Sequence, residues 1–135
     1  MAGLEKRVFL ICPVRGVTQA EQIELADYVR TLEDNGCRVH YPPRDTNQDD
    51  PVGDRICRQN RDAILAADEV HVYWVNGETT RSTGSYFDFG MALMAEKPLY
   101  LANPDDVLLT SGRKGFNNVL RRLAKDSPYA IRRLA

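Results

Sequence analysis

The sequence predicts a doubly wound α/β fold, a parallel β-sheet with helices on both faces. Three observations lead there. Short apolar runs of strand length alternate with longer segments of helical period. The alternation is regular, β-α-β-α-β-α-β-α, and that order builds parallel strands joined by right-handed crossovers. A chain of 135 residues, 43% hydrophobic and 27% charged, is also long enough for one core without disulfide staples, so residues 1–135 are expected to form a single domain.

The elements follow in order. "RVFLIC" (7–12) reads as a buried strand closed by Pro13, and "TQAEQIELADYVRTLEDNG" (18–36) as a helix stopped by Gly36, with Ile23, Ala26, Val29 and Leu32 on one face. "CRVHY" (37–41) is a second strand, ended by Pro42 and Pro43. A polar loop from Arg44 leads to a helix over about 52–67, and "DEVHVYW" (68–74) gives the third strand. After the loop "VNGETTRS" a helix covers about 83–96, "KPLYLAN" (97–103) is a fourth strand, and "SGRKGFNNVLRRLAKD" (111–126) supplies a last amphipathic helix.

Composition narrows the function classes. No apolar run approaches the length that spans a bilayer, and the apolar stretch of "MAGLEKRVFLICPV" is too short for a signal peptide. Cys12, Cys37 and Cys57 are odd in number and lack CxxC spacing, which fits reduced thiols and a cytoplasmic location. The net charge is −1, yet from Ser111 onward seven basic residues face only Asp126, a local +6 against −7 elsewhere. With few aromatics interleaved, this reads as a solvated or subunit-contacting helix, and nucleic acid is not expected as a partner.

Ligands of such sheets bind outside the carboxyl ends of the strands, which directs attention to loops 13–17, 42–51 and 75–83. "CPVRGVT" (12–18) offers Arg15, a forked donor for phosphate or carboxylate, and Gly16, which lets a backbone approach a ligand. An ordinary surface arginine in a turn fits the same residues. GxGxxG and GxxxxGK[ST] are absent, so neither a dinucleotide nor a P-loop nucleotide is indicated. "DTNQDD" (45–50) lacks the glycine and the final glutamate of a calcium loop. His40 and His71 sit inside strands with no companion at ligand spacing and read as structural. No metal and no cofactor are expected.

Two residues stand out. Asn60 shares a helical stripe with Ile56, Ala63, Ile64 and Ala67, so its amide should face the sheet and find a partner there. "GSYFDFG" (84–90) sets Asp88 among Tyr86, Phe87 and Phe89, one turn after Gly84 and Ser85 at a helix start suited to an anion. A carboxylate desolvated in this way has a raised pKa, as a nucleophile or general acid/base requires, although a structural acid paired to a neighbouring helix fits equally. Gly90 costs the helix about 1 kcal/mol against alanine, which points to close packing or a nearby ligand.

At this point the chain resembles the nucleoside 2-deoxyribosyltransferase-like superfamily, which includes N-glycosidases of nucleoside 5′-monophosphates. "VFLICPV", "GCRVHYPPRD" and "NRDAILAADEVHVYW" resemble its first strand, its second strand and loop, and its second helix with the third strand. "STGSYFDFGMALMAEKPLYL" resembles its most specific block, G-[ST]-x-F-E-x-G-x-A-x-x-x-x-K-P. The resemblance implies a flavodoxin-like, Rossmann-like three-layer fold, a homodimer or larger assembly, and a nucleoside or nucleoside monophosphate as substrate. It also implies that Asp88 stands where a glutamate nucleophile attacks the anomeric carbon, and that Asn60 stands where an aspartate commonly assists the leaving base. Asp88 reaches about 1.5 Å less far than Glu, one C–C bond, and Asn60 cannot act as a general acid. By the same resemblance Arg15, Gly16, Gly84 and Ser85 would line the sugar or phosphate side, with Tyr86 or Trp74 stacking on the base and Arg44 among the binding residues. The activity so implied is N-glycosidic cleavage or deoxyribosyl transfer. A non-catalytic nucleotide-sensing module built on the same pocket is the rival reading.

Overall fold

The structure, a computed structural model, describes residues 5–75, 83–109 and 115–133. Its strands are β1 (Lys6–Ile11), β2 (Cys37–His40), β3 (Glu69–Val72), β4 (Leu99–Leu101) and β5 (Lys125–Asp126), all parallel, in the order β2-β1-β3-β4-β5. The helices are α1 (Gln19–Asp34), the single turn α2 (Pro42–Asp45), α3 (Asp54–Ala66), α4 (Thr83–Met94) and α5 (Phe116–Leu123). The strand order reverses between β1 and β3, where Val8 pairs with Glu69 and Ile11 with Val72. That reversal opens a crevice at the carboxyl ends of the two strands.

Alternation along the strands separates two cores. Phe9, Ile11, Val70, Val72, Leu99 and Leu101 face α3, α4 and α5 through Ile64, Phe89, Ala92 and Leu120. Val8, Leu10 and Val39 face α1 through Leu25, Tyr28, Val29 and Leu32. Three helices thus cover one face and one covers the other. The C-terminal segment completes the second face: the Ile131 N–H donates to the Ala102 carbonyl at 2.7 Å, and its side chain packs on the α1 core.

Three expectations are corrected. The buried stripe of α1 is Leu25, Tyr28, Val29 and Leu32, while Ile23 is 57% exposed. The competing stripe wins because the Tyr28 ring can bury once its hydroxyl finds partners on β3 and the C-terminal segment. The last helix is shorter than 111–126, ending at Leu123, and the chain then adds β5 beside β4, with Leu101 opposite Asp126. Two polar residues paired only through their backbone leave no period-2 pattern to read. The basic C-terminal run is also partly neutralised by the chain itself. Arg132 pairs with Asp105 and Asp126, and Arg133 with Glu24 and Asp106.

Candidate functional site

The loop leaving β1 turns at Gly16, whose φ of +63° favours glycine. It then enters α1 through a capping box: the Thr18 side-chain oxygen accepts from the Glu21 N–H, and the Glu21 carboxylate accepts from the Thr18 N–H. Across the crevice α4 starts at Thr83. The 3.6 period puts Ser85, Asp88, Phe89 and Ala92 on its buried stripe, so Asp88 points inward with Ser85. From the third side α3 begins after Gly53, with the Ile56 N–H donating to the Asp50 carboxylate at 3.1 Å, and it carries Asn60 on its buried stripe beside Ile64.

These segments enclose a cavity of about 580 Å³ at the β1/β3 crevice. Its walls include Cys12 and Arg15 after β1, Gly53 and Asn60 of α3, and Gly84, Ser85, Phe87 and Asp88 of α4. Asp88 is 8% exposed. Its one hydrogen bond among the described residues comes from the Asn60 amide, Nδ2 to Oδ2, at 3.4 Å. Burial pushes the Asp88 carboxyl up to about 7, and the Asn60 bond opposes that rise only in part. Cys12 beneath it is pushed well above the ordinary thiol range by burial and by the Asp88 charge. At neutral pH the Cys12 thiol is therefore neutral, and the Asp88 carboxyl takes up a proton far more readily than an ordinary aspartate.

The Asn60 carbonyl is occupied as well. The Thr46 hydroxyl donates to Asn60 Oδ1 at 2.7 Å, and His40 Nε2 lies 2.7 Å from the same hydroxyl. Burial lowers the His40 pKa, which keeps the ring neutral at pH 7. Thr46 lies in the stretch read from sequence as a failed calcium loop, and only the folded loop brings it against Asn60. Among the described residues no three His, Cys, Asp or Glu side chains group as a metal site.

Arg15, Gly84, Ser85, Asn60 and Asp88 thus gather around one cavity, with Gly16 turning the chain beside Arg15. Three other candidates lie elsewhere. Trp74 is 2% exposed, its indole N–H donates to Asn117 Oδ1 at 2.8 Å, and its backbone is clasped by the Asn103 amide, so it is core and cannot stack on a ligand. Tyr86 leaves the cavity because it sits two helical positions, about 200°, from Asp88. It packs edge-on against Trp74 and Phe116 at 5.2 and 4.5 Å. Phe87, 63% exposed, is the aromatic that lines the cavity. Arg44, placed by the unforeseen turn α2, is held by Glu33, Asp45 and the Val39 carbonyl. It faces a separate groove of about 470 Å³ behind β2. Among the described residues, a side-chain carbon added at Gly84 or Gly90 would meet nothing within 4 Å beyond the helix itself, so packing against them does not account for Gly90.

Comparison with known proteins finds the same architecture. The chain is similar to the CMP N-glycosidase of Clostridium botulinum (TM-score 0.55, 20% identity, 90% of this chain and 86% of that one). It is also similar to a 2-deoxyribosyltransferase of Bacillus psychrosaccharolyticus (TM-score 0.60, 16% identity, 89% and 97%). A conserved protein of Enterococcus faecalis aligns as well (TM-score 0.61, 16% identity, 91% and 79%). No family model and no curated protein matches the sequence. The doubly wound fold is shared with these three structures.

Proposed function

We propose that the protein cleaves, or transfers the sugar from, the N-glycosidic bond of a nucleoside or nucleoside monophosphate, with Asp88 as the nucleophile. The observation that carries the reading is a buried carboxyl with one long hydrogen bond among the described residues, opening on a cavity at the β1/β3 crevice. Ionised Asp88 attacks the anomeric carbon through Oδ1 while Asn60 holds Oδ2. The carbon–nitrogen bond breaks, its electron pair goes to the base, and the base takes a proton from water, since Asn60 has none to give. Attack on the glycosyl ester by water, or by a second base, then restores the carboxylate.

Arg15 faces the cavity as the group for a 5′-phosphate, and Phe87 supplies an aromatic wall for the base. The reaction runs in the cytoplasm, where Cys12, Cys37 and Cys57 stay as thiols. Among the described residues no helix is long and apolar enough to cross a membrane. The working unit is a homodimer or larger. Met94, 85% exposed on α4 near Phe87, supplies apolar surface for it, whereas Met91 packs into the core. Light scattering at micromolar concentration tests this, and a monomer mass counts against it.

The activity is tested by free base released from a panel of nucleosides and their monophosphates. Arg15→Ala is expected to weaken a monophosphate about 10- to 100-fold and leave the matching nucleoside unchanged, the cost of one charged hydrogen bond. Saturable nucleotide binding with no base released from any substrate would replace this reading with a sensing module.

A further inference from the structure

Resting on the roles given above to Asp88 and Asn60, we propose that Thr46 and His40 are positioning residues that lock the Asn60 amide with its NH2 group toward Asp88. An asparagine amide presents a donor on one side and an acceptor on the other, and a half-turn about Cβ–Cγ exchanges them. In the exchanged state Oδ1 would set its lone pairs against the Asp88 carboxylate, and the one hydrogen bond that carboxylate receives from the described residues would be lost. Thr46 opposes that state when His40 carries its proton on Nε2, because the hydroxyl then accepts from the ring and turns its own proton to Asn60. Thr46 is 4% exposed, and its hydroxyl gives its single proton to Asn60 Oδ1 at 2.7 Å.

A hydroxyl that has spent its proton can only accept from His40, so the 2.7 Å contact at Nε2 requires the N–H there. The neutral His40 ring meets that requirement as its Nε2–H tautomer, and it is held flat against Phe9, with centroids 5.3 Å apart and planes 9° from parallel. With that tautomer proton donation runs one way, His40 to Thr46 to Asn60, with the Asn60 NH2 donating onward to Asp88. The chain crosses four segments, from edge strand β2 through the loop after α2 and α3 to α4. His40 borders the groove behind β2, while Asn60 and Asp88 border the candidate active cavity.

The titratable neighbours at each end are few. Cys12, Arg15, Asp54 and Cys57 share the cavity with Asp88, and Asp45, Arg44, Glu33, Arg7 and Arg38 share the groove with His40. Asp45 and Arg44 act on His40 with opposite sign.

Thr46→Val keeps the shape and deletes the hydroxyl, and Thr46→Ser returns it. The primary readout is the titration of the Asp88 carboxyl carbon by NMR in the ligand-free protein, which needs no activity. Thr46→Val is expected to move the Asp88 midpoint up by about one pH unit, because a hydrogen bond to the charged form is weakened. Thr46→Ser is expected to bring it back. On a cleaved substrate, Thr46→Val should lower kcat about 10-fold with KM little changed, the sign of a group acting on the reacting carboxylate. A folded Thr46→Val protein whose Asp88 titrates as wild type overturns the inference, whatever its activity. A moved midpoint in a protein that cleaves nothing upholds the inference and removes the catalytic reading instead. If Thr46→Val does not fold, His40→Phe keeps the stacking on Phe9 and deletes the Nε2 donor. A smaller upward move of the Asp88 midpoint then supports the chain, and an unmoved one overturns it.

Discussion

Two buried polar chains lie on opposite faces of the sheet, and they end differently. On the α1 face the Tyr28 hydroxyl is 2.6 Å from both His71 Nδ1 and Ser127 Oγ, and His71 Nε2 is 3.0 Å from Glu69. Each member has a short partner, and the chain ties α1, β3 and the C-terminal segment together. On the α3–α4 face the chain begins equally well, at 2.7 Å for His40 to Thr46 and for Thr46 to Asn60. It ends on Asp88 with one contact of 3.4 Å beside a cavity. A network satisfied throughout accounts for itself as structure. One that leaves a buried carboxylate under-bonded at a crevice leaves solvation for a ligand to supply.

The two ends also carry opposite pH signs. Asp88 has a folded pKa raised from 3.8 to about 7, so its contribution to stability is complete below the unfolded value and is lost as pH rises through about 7. His71 has a folded pKa lowered by burial, with Glu69 opposing. Its contribution is complete above the unfolded value near 6.5 and is lost as pH falls through the depressed folded value.

The largest expected effect breaks the α3–α4 chain at its end. Asp88→Asn should reduce base release by at least about 1000-fold, since the amide is a far poorer nucleophile. It should also raise Tm at pH 8, by an amount equivalent to a few kcal/mol, and raise it much less at pH 5, where wild-type Asp88 is already protonated. Loss of stability at pH 8 would instead make Asp88 a structural acid. Asp88→Glu sharpens the point: if the shorter arm limits the reaction, cleavage rises, and if the pocket is fitted to Asp, it falls.

Breaking the satisfied chain should do the reverse. Tyr28→Phe is expected to cost about 1–3 kcal/mol in denaturant unfolding, the penalty for partners left unpaired in the core, with base release per folded molecule unchanged. In wild type the two slopes oppose each other on the acid side of neutrality and level off above about pH 7, so Asp88→Asn should leave only the rise of Tm with pH that His71 contributes. A smaller effect is expected at the exposed clamp of the C-terminal segment. Arg133→Ala removes contacts to Glu24 and Asp106 at a cost of about 1 kcal/mol or less, and high salt should erase it.

The order of strands and helices was legible from residue pattern, because buried parallel strands are apolar runs and their helices have a fixed period. The same period placed Asn60 on the inward stripe of its helix without knowledge of the fold, whereas Asp88 was marked by its aromatic neighbours and only the structure shows it turned inward. The period also marks Tyr86 as turned away from Asp88, a distinction that a motif of crowded aromatics hides. What the helices face was another matter. Tyr28 outcompeted Ile23 for burial because His71 and Ser127, 43 and 99 residues away in sequence, complete its hydroxyl. Trp74 became core because Asn103 and Asn117 take its polar groups. Thr46 and His40 joined Asn60 because the loop after β2 folds back over α3. Local sequence determines period, caps and turns, which act over a few residues. The partners of a buried polar group are chosen by the whole sheet, since only packing decides which distant donor or acceptor arrives to replace water.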